Sequence, residues 1–159
     1  MDIGENISAF MGLKNIAVVG VSKSGKDFGA TAFRELVKRG YSVTPVNRDG
    51  GTIDGVPMYR SLSEIKGNVD GVLVVVPPSQ SVAVISDAFD AGISHVWLTQ
   101  GAESNEAIKF CEDRNIREVH GECILMFFEK NAFPHTWHRT FKKITGRLPR
   151  MPVNASREA

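Results

Sequence analysis

The chain has 159 residues, 42% hydrophobic and 23% charged, with 19 Lys and Arg against 18 Asp and Glu. That is the composition of one globular domain, too apolar for a disordered segment and too short for two full domains. No apolar run approaches the ~20 residues that cross a bilayer. The acidic start Met1-Asp2-Ile3-Gly4-Glu5 has no secretory pattern, so a cytoplasmic protein is expected.

In chain order, the first apolar feature is Ile3, Ile7, Phe10 and Met11, a stripe suited to covering a sheet face or to a dimer contact. Asn15-Ile-Ala-Val-Val-Gly20 reads as a buried parallel strand. After a Ser, Gly and Lys-rich loop, residues 29–39 form a helix with Ala32, Phe33, Leu36 and Val37 facing inward and Gly40 ending it. Tyr41-Ser-Val-Thr-Pro-Val-Asn47 is a second strand. Asp49-Gly-Gly51 and Asp54-Gly55 are turns around a short extended piece, followed by a brief helix over 62–66.

Asp70-Gly-Val-Leu-Val-Val-Val76 is the clearest central strand, stopped by Pro77-Pro78. Ser79 is placed to cap a helix carrying Val82, Val84, Ile85, Ala88 and Phe89 and ending at Gly92. Ser94-His-Val-Trp-Leu-Thr99 is a strand, Gln100-Gly101 turns into a helix running through Cys111, and residues 116–120 are the last strand. The alternation predicts an α/β fold: a Rossmann-like, doubly wound parallel sheet of about five strands with helices on both faces.

Charge then changes sign along the chain. Residues 1–129 hold 12 Lys and Arg against 17 Asp and Glu, whereas residues 130–159 hold 7 against the single Glu158. We therefore read a domain over 1–129 and a basic helical extension over 130–159. Trp137, Phe141 and Ile144 lie on one face of that helix, with a loose end after it. The acidic body argues against a nucleic-acid protein as a whole; the tail suits a polyanion, a protein partner or the body itself.

Ligands of open α/β sheets bind at the carboxyl ends of the strands. There the segment Gly20-Val-Ser-Lys-Ser-Gly-Lys-Asp-Phe-Gly29 offers small residues for phosphate approach, a helix N-terminus, and the cations Lys23 and Lys26. It is neither G-x-G-x-x-G nor a P-loop, since Asp27 stands where Ser or Thr would hold magnesium; a solvated loop is the plain alternative. The second strand ends in Asn47-Arg48 rather than the acid of an NAD site, and an arginine suits a phosphate on the adenosine ribose, as in NADP or coenzyme A. A solvated turn residue is the alternative there.

Ile16-Ala-Val-Val-Gly-Val-Ser22, Gly40-Tyr-Ser-Val-Thr-Pro-Val-Asn47 and Val96-Trp-Leu-Thr-Gln-Gly-Ala102 with Glu106-Ala107 together resemble the CoA-binding domain family. Its members are stand-alone relatives of the N-terminal domain of the succinyl-CoA synthetase α subunit. The likeness spans about 13–123 and implies a domain holding coenzyme A or an acyl-CoA. Carried over by position, Gly20, Val21, Ser22, Lys23, Lys26 and Phe28 would cradle the pyrophosphate. Val46, Asn47 and Arg48 would border the adenosine end, Val76-Pro77-Pro78 would wall the adenine, and Gln100-Gly101 would lie along the pantetheine path. Val-Pro-Pro is closer to the synthetase subunit than to many stand-alone members, which carry charge there.

The synthetase's phosphorylated histidine lies on a second domain with no counterpart in these residues, so the expected role is a non-catalytic carrier, sensor or regulatory module. The runners-up are a component of an acyl-CoA ligase and an NAD(H)- or NADP-binding redox sensor. His120 and Cys123 at the last strand's end offer a thiol–imidazole pair without an orienting third group, and His95 reads as structural. His135 and His138 stand three apart with no third ligand, and Cys111 and Cys123 form no metal, redox or disulfide spacing, so no metal is expected. A homo-oligomer or an unidentified protein partner completes the expectation.

Overall fold

The computed structural model describes residues 2–128. The expected tail helix and the histidines at 135 and 138 lie outside them. The elements run α1 (Ile3–Met11), β1 (Asn15–Val19), α2 (Phe28–Lys38), β2 (Ser42–Val46), β3 (Thr52–Ile53), β4 (Val56–Pro57), a 3-10 turn (Leu62–Ile65) and β5 (Gly71–Val74). They continue with α3 (Pro78–Asp90), β6 (His95–Leu98), α4 (Asn105–Asp113), β7 (Arg117–Val119) and a second 3-10 turn (Ile124–Phe127). Five strands form one sheet in the order β2-β1-β5-β6-β7, every pair parallel, while β3 and β4 make a small antiparallel hairpin. The Rossmann-like architecture expected from the alternation is the one observed.

Alternation along each strand divides the core between two faces. Ile16, Val18, Leu73, Trp97 and Val119 point to the side covered by α1 and α2. Ala17, Val46, Val72, Val74, Val96 and Leu98 point to the side covered by α3 and α4. The N-terminal stripe covers the sheet: Ile7 and Phe10 are fully buried where α1 packs on β6 and β7. Gly71 makes that packing fit, because a Cβ there would stand 2.5 Å from Leu13 Cδ1 and 3.1 Å from Phe10 Cε2. At the centre Trp97 meets Phe10 and Phe127 edge-on, centroids 5.4 and 5.6 Å away, and its Nε1–H donates to the Glu122 carbonyl at 2.9 Å.

Several local expectations are corrected. Val37, read as facing inward, is 48% exposed, and Phe89, the last of the apolar residues noted on α3, is 44% exposed. Ser79 is not the cap of α3; Pro77 holds that position without a side-chain bond, and Pro78 opens the helix at a site where its missing N–H costs nothing. The next helix starts at Asn105, not at Gln100-Gly101. Ser104 caps it by accepting the Ala107 N–H at 3.1 Å, while Glu103, outside it, accepts from Gly101 N at 2.7 Å. No helix among the described residues is long and apolar enough to cross a membrane.

Candidate functional site

The neighbours β1 and β5 send their chains to opposite faces, β1 to α2 and β5 to α3, which opens a crevice at their carboxyl ends. Gly20 sits at its base with φ +104, and a Cβ there would stand 2.0 Å from the Val75 carbonyl oxygen. Its N–H donates to the Val46 carbonyl at 3.0 Å, so β1, β2 and β5 close on one backbone position. Gly29 allows α2 the same intimacy, its missing Cβ falling 2.7 Å from the Gly20 carbonyl oxygen.

The loop between β1 and α2 is braced by its own groups. Asp27 Oδ2 accepts the Ser22 N–H at 3.1 Å and its Oδ1 caps α2 through the Ala30 N–H at 2.9 Å. The Ser22 and Ser24 hydroxyls meet at 2.8 Å, and Ser22 takes the Ser24 N–H through Oγ and the Gly25 N–H through its carbonyl. The helix N-terminus that the sequence offered to a phosphate therefore already holds a carboxylate. From α2, Arg34 reaches the Gly25 carbonyl and Asp54 on the hairpin turn, tying loop to hairpin.

Beside this loop lies a cleft of about 610 Å³, within the range of small-molecule sites. Its floor is Val19, Gly20 and Val46, and one rim is Asn47, Arg48, Asp49 and the returning segment Arg60-Ser61-Leu62. The far wall is Val76 with Ser79, Gln80, Ala83, Val84 and Asp87 of α3. Of the residues singled out from sequence, Gly20, Val46, Asn47, Arg48 and Val76 line it. Ser22, Lys23 and Lys26 stand on the loop, and Val21 and Phe28 pack on the α1–α2 face, away from the cleft. Pro77 is exposed at the start of α3, and Gln100 and Gly101 are exposed beyond β6, outside the cleft lining.

Asn47 spends its side chain on the chain itself. Its Nδ2 donates to the Val21 carbonyl at 2.7 Å and its Oδ1 accepts the Asp49 N–H at 2.8 Å, so it positions the loop and the turn. Arg60 was missed because it lies far along the chain from β2 and returns only through the hairpin: Tyr59 N donates to the Pro45 carbonyl at 3.0 Å, and Asn47 N to the Tyr59 carbonyl at 2.9 Å. The α3 wall carried a readable signal, since Ser79, Gln80, Ala83, Val84 and Asp87 recur at one-turn spacing on a helix face.

Elsewhere, His120 Nδ1 pairs with Glu118 Oε2 at 2.8 Å, an orienting group that sequence reading lacked. Burial, with Glu118 and Glu112 nearby, pushes the Cys111 thiol up to about 12, which makes it a core side chain and not a nucleophile. Burial and the charge of Arg117 hold His95 below its usual value. Among the described residues there is no group of three or more His, Cys, Asp or Glu able to hold a metal.

Residues 14–129 match the family model described as the CoA binding domain. Over 126 residues the chain is 33% identical to the acetate–CoA ligase [ADP-forming] II subunit alpha of Pyrococcus furiosus, a match covering 72% of this chain and 28% of that subunit. The chain thus spans under a third of the ligase subunit's length. It is 28% identical over 111 residues to the uncharacterized protein YneT of Bacillus subtilis, covering 70% of this chain and 82% of the other. Among solved structures, a conserved hypothetical protein from Pyrococcus furiosus superposes with a TM-score of 0.67 and 36% identity, over 70% of this chain and 96% of that one.

Proposed function

The chain belongs to the CoA-binding domain family, and on that premise we propose that it binds coenzyme A or an acyl-CoA at the β1–β5 crevice, as a carrier, sensor or regulatory module without chemistry of its own. The observation that carries the reading is the cleft itself, which joins an apolar slot to a cationic rim. Val19, Val46, Leu62, Val76, Ala83 and Val84 suit the faces of an adenine, and Ser79 and Gln80 supply hydrogen-bonding groups at its edge. Arg48 stands at the ribose end of such a pose. In such a pose Ser22, Lys23 and Lys26 on the loop would border the pyrophosphate, and Gln100-Gly101, exposed beyond β6, would meet the pantetheine arm outside the cleft.

The test is calorimetric titration of ligand-stripped protein with CoA, NAD and NADP. Micromolar or tighter binding of CoA, with neither nicotinamide nucleotide competing, is the expected result. NAD or NADP binding in place of CoA overturns it and favours a redox sensor on the same fold.

The likeness to an ADP-forming ligase subunit favours one second reading, that the chain serves as the CoA-holding part of an acyl-CoA ligase assembly. That reading requires a co-purifying partner and ADP release dependent on both CoA and a carboxylic acid; ADP release indifferent to this chain removes it.

A further inference from the structure

We propose that Arg60 is a specificity-determining residue of the cleft. With Arg48 it grips a phosphomonoester at the 3′ position of the ligand's ribose, and so selects nucleotides that carry this phosphate over those that lack it. The proposal deepens the CoA reading above, on which the identity of the full ligand rests.

Arg48 and Arg60 come from separate segments and line the same cleft rim. The turn between them carries the geometry. A Cβ on Gly50 (φ +63) would stand 3.2 Å from Arg60 Nε and 3.6 Å from its Nη2, so the guanidinium lies along bare backbone. On the adjoining Gly51 (φ +110) a Cβ would stand 3.0 Å from Lys23 Cε, so the lysine stem lies along the same turn. A side chain at either position would crowd the cation beside it by a few tenths of an ångström. The turn is itself fixed, by Gly50 N donating to the Asn47 carbonyl and Met58 N to the Gly51 carbonyl, both at 2.8 Å.

Neither arginine is otherwise engaged among the described residues. Arg34 and Arg39 have carboxylate partners, but among the described residues Arg48 and Arg60 have no ion pair or hydrogen bond, although Asp49 and Asp87 share their cleft. Two unpaired guanidiniums on one rim match a phosphomonoester, which carries nearly two charges and three acceptor oxygens near neutral pH. A diester carries only one charge on two free oxygens, and a pyrophosphate link divides its charge between two phosphorus centres. Asp87 on the α3 wall repels an anion from that side, whereas on the opposite rim two arginines outweigh the single Asp49.

The experiment titrates wild type, Arg60→Gln and Arg60→Lys with CoA, 3′-dephospho-CoA, adenosine 3′,5′-bisphosphate and AMP, after circular dichroism shows each variant folded. Expected is a loss of about 10- to 100-fold in Arg60→Gln for the two ligands bearing the 3′-phosphate, with the other two unchanged and Arg60→Lys in between. Equal weakening of all four ligands, or none, overturns the assignment of Arg60 while CoA binding by wild type leaves the functional reading standing. Arg60-dependent binding of the bisphosphate without CoA binding does the reverse. Failure of wild type to bind any of the four overturns both.

Discussion

Arg34 and Asp54 meet in a two-point ion pair, Nε to Oδ2 at 2.7 Å and Nη2 to Oδ1 at 2.9 Å, while Arg34 Nη1 donates to the Gly25 carbonyl at 2.7 Å. One side chain thus joins α2, the loop at the crevice and the tip of the hairpin that returns Arg60. Both partners are about half exposed, at 44% and 50%, so the clamp contributes little to global stability and acts on local order.

Arg34→Met is therefore expected to leave the melting temperature nearly unchanged while raising amide exchange at Ser24, Gly25 and Lys26. Unchanged exchange in that loop would refute the clamp.

The clamp also has a pH window. The Arg34 hydrogen bond holds the Asp54 carboxyl below its ordinary 3.8. A lowered value in the folded state means the contribution is complete above the ordinary value and is lost as pH falls through the lower one. Loop exchange, corrected for its intrinsic pH dependence, should rise only in that acid range, and Asp54→Asn should abolish the step. A transition near neutral pH would assign the effect to another group.

Gly20→Ala is expected to be severe. The added methyl lands 2.0 Å from a backbone carbonyl oxygen, at a φ of +104 that L residues rarely adopt, so both overpacking and strain apply. A loss of about 3 kcal/mol or more in urea denaturation is expected; a loss under about 1 kcal/mol would mean that β5 can shift aside.

Trp97→Ala should cost about 3–5 kcal/mol, since a fully buried ring and its bond to the Glu122 carbonyl disappear together. Trp97→Phe keeps part of the packing but leaves that carbonyl without its donor, and should fall between. Equal stabilities for the two variants would assign the whole effect to the hydrogen bond.

With its thiol pushed up to about 12, Cys111 should resist alkylation at pH 8 in the native protein and react at once in denaturant. Peptide mapping after a timed iodoacetamide pulse reads this directly. Fast native labelling would contradict its burial.

The fold was legible because β-strand runs such as 70–76 are continuous and apolar, and because Gly20, Gly40 and Gly92 punctuate the alternation. What sequence could not supply was the angular position of helix residues near the edge of a face. Val37 and Phe89 fall just outside the buried stripe, and the Arg114 guanidinium stands 5.7 Å from the Phe89 ring centre. The cap of α3 was misread because a hydroxyl near a helix start is a strong signal, while Pro77-Pro78 sets the same boundary through fixed dihedrals alone. At the crevice, strand ends alone point to Arg48 and not to Arg60, which lines the same cleft and arrives by a hairpin return that only Asp54-Gly55 hints at.

The internal bracing of the 20–29 loop by Asp27, Ser22 and Ser24 has a kinetic consequence. If CoA binds as proposed, its phosphates meet a shaped surface and need not wait for a segment to order, so encounter is governed by diffusion and the pull of the nearby cations. Variants that weaken its hold should shorten the bound lifetime far more than they slow arrival.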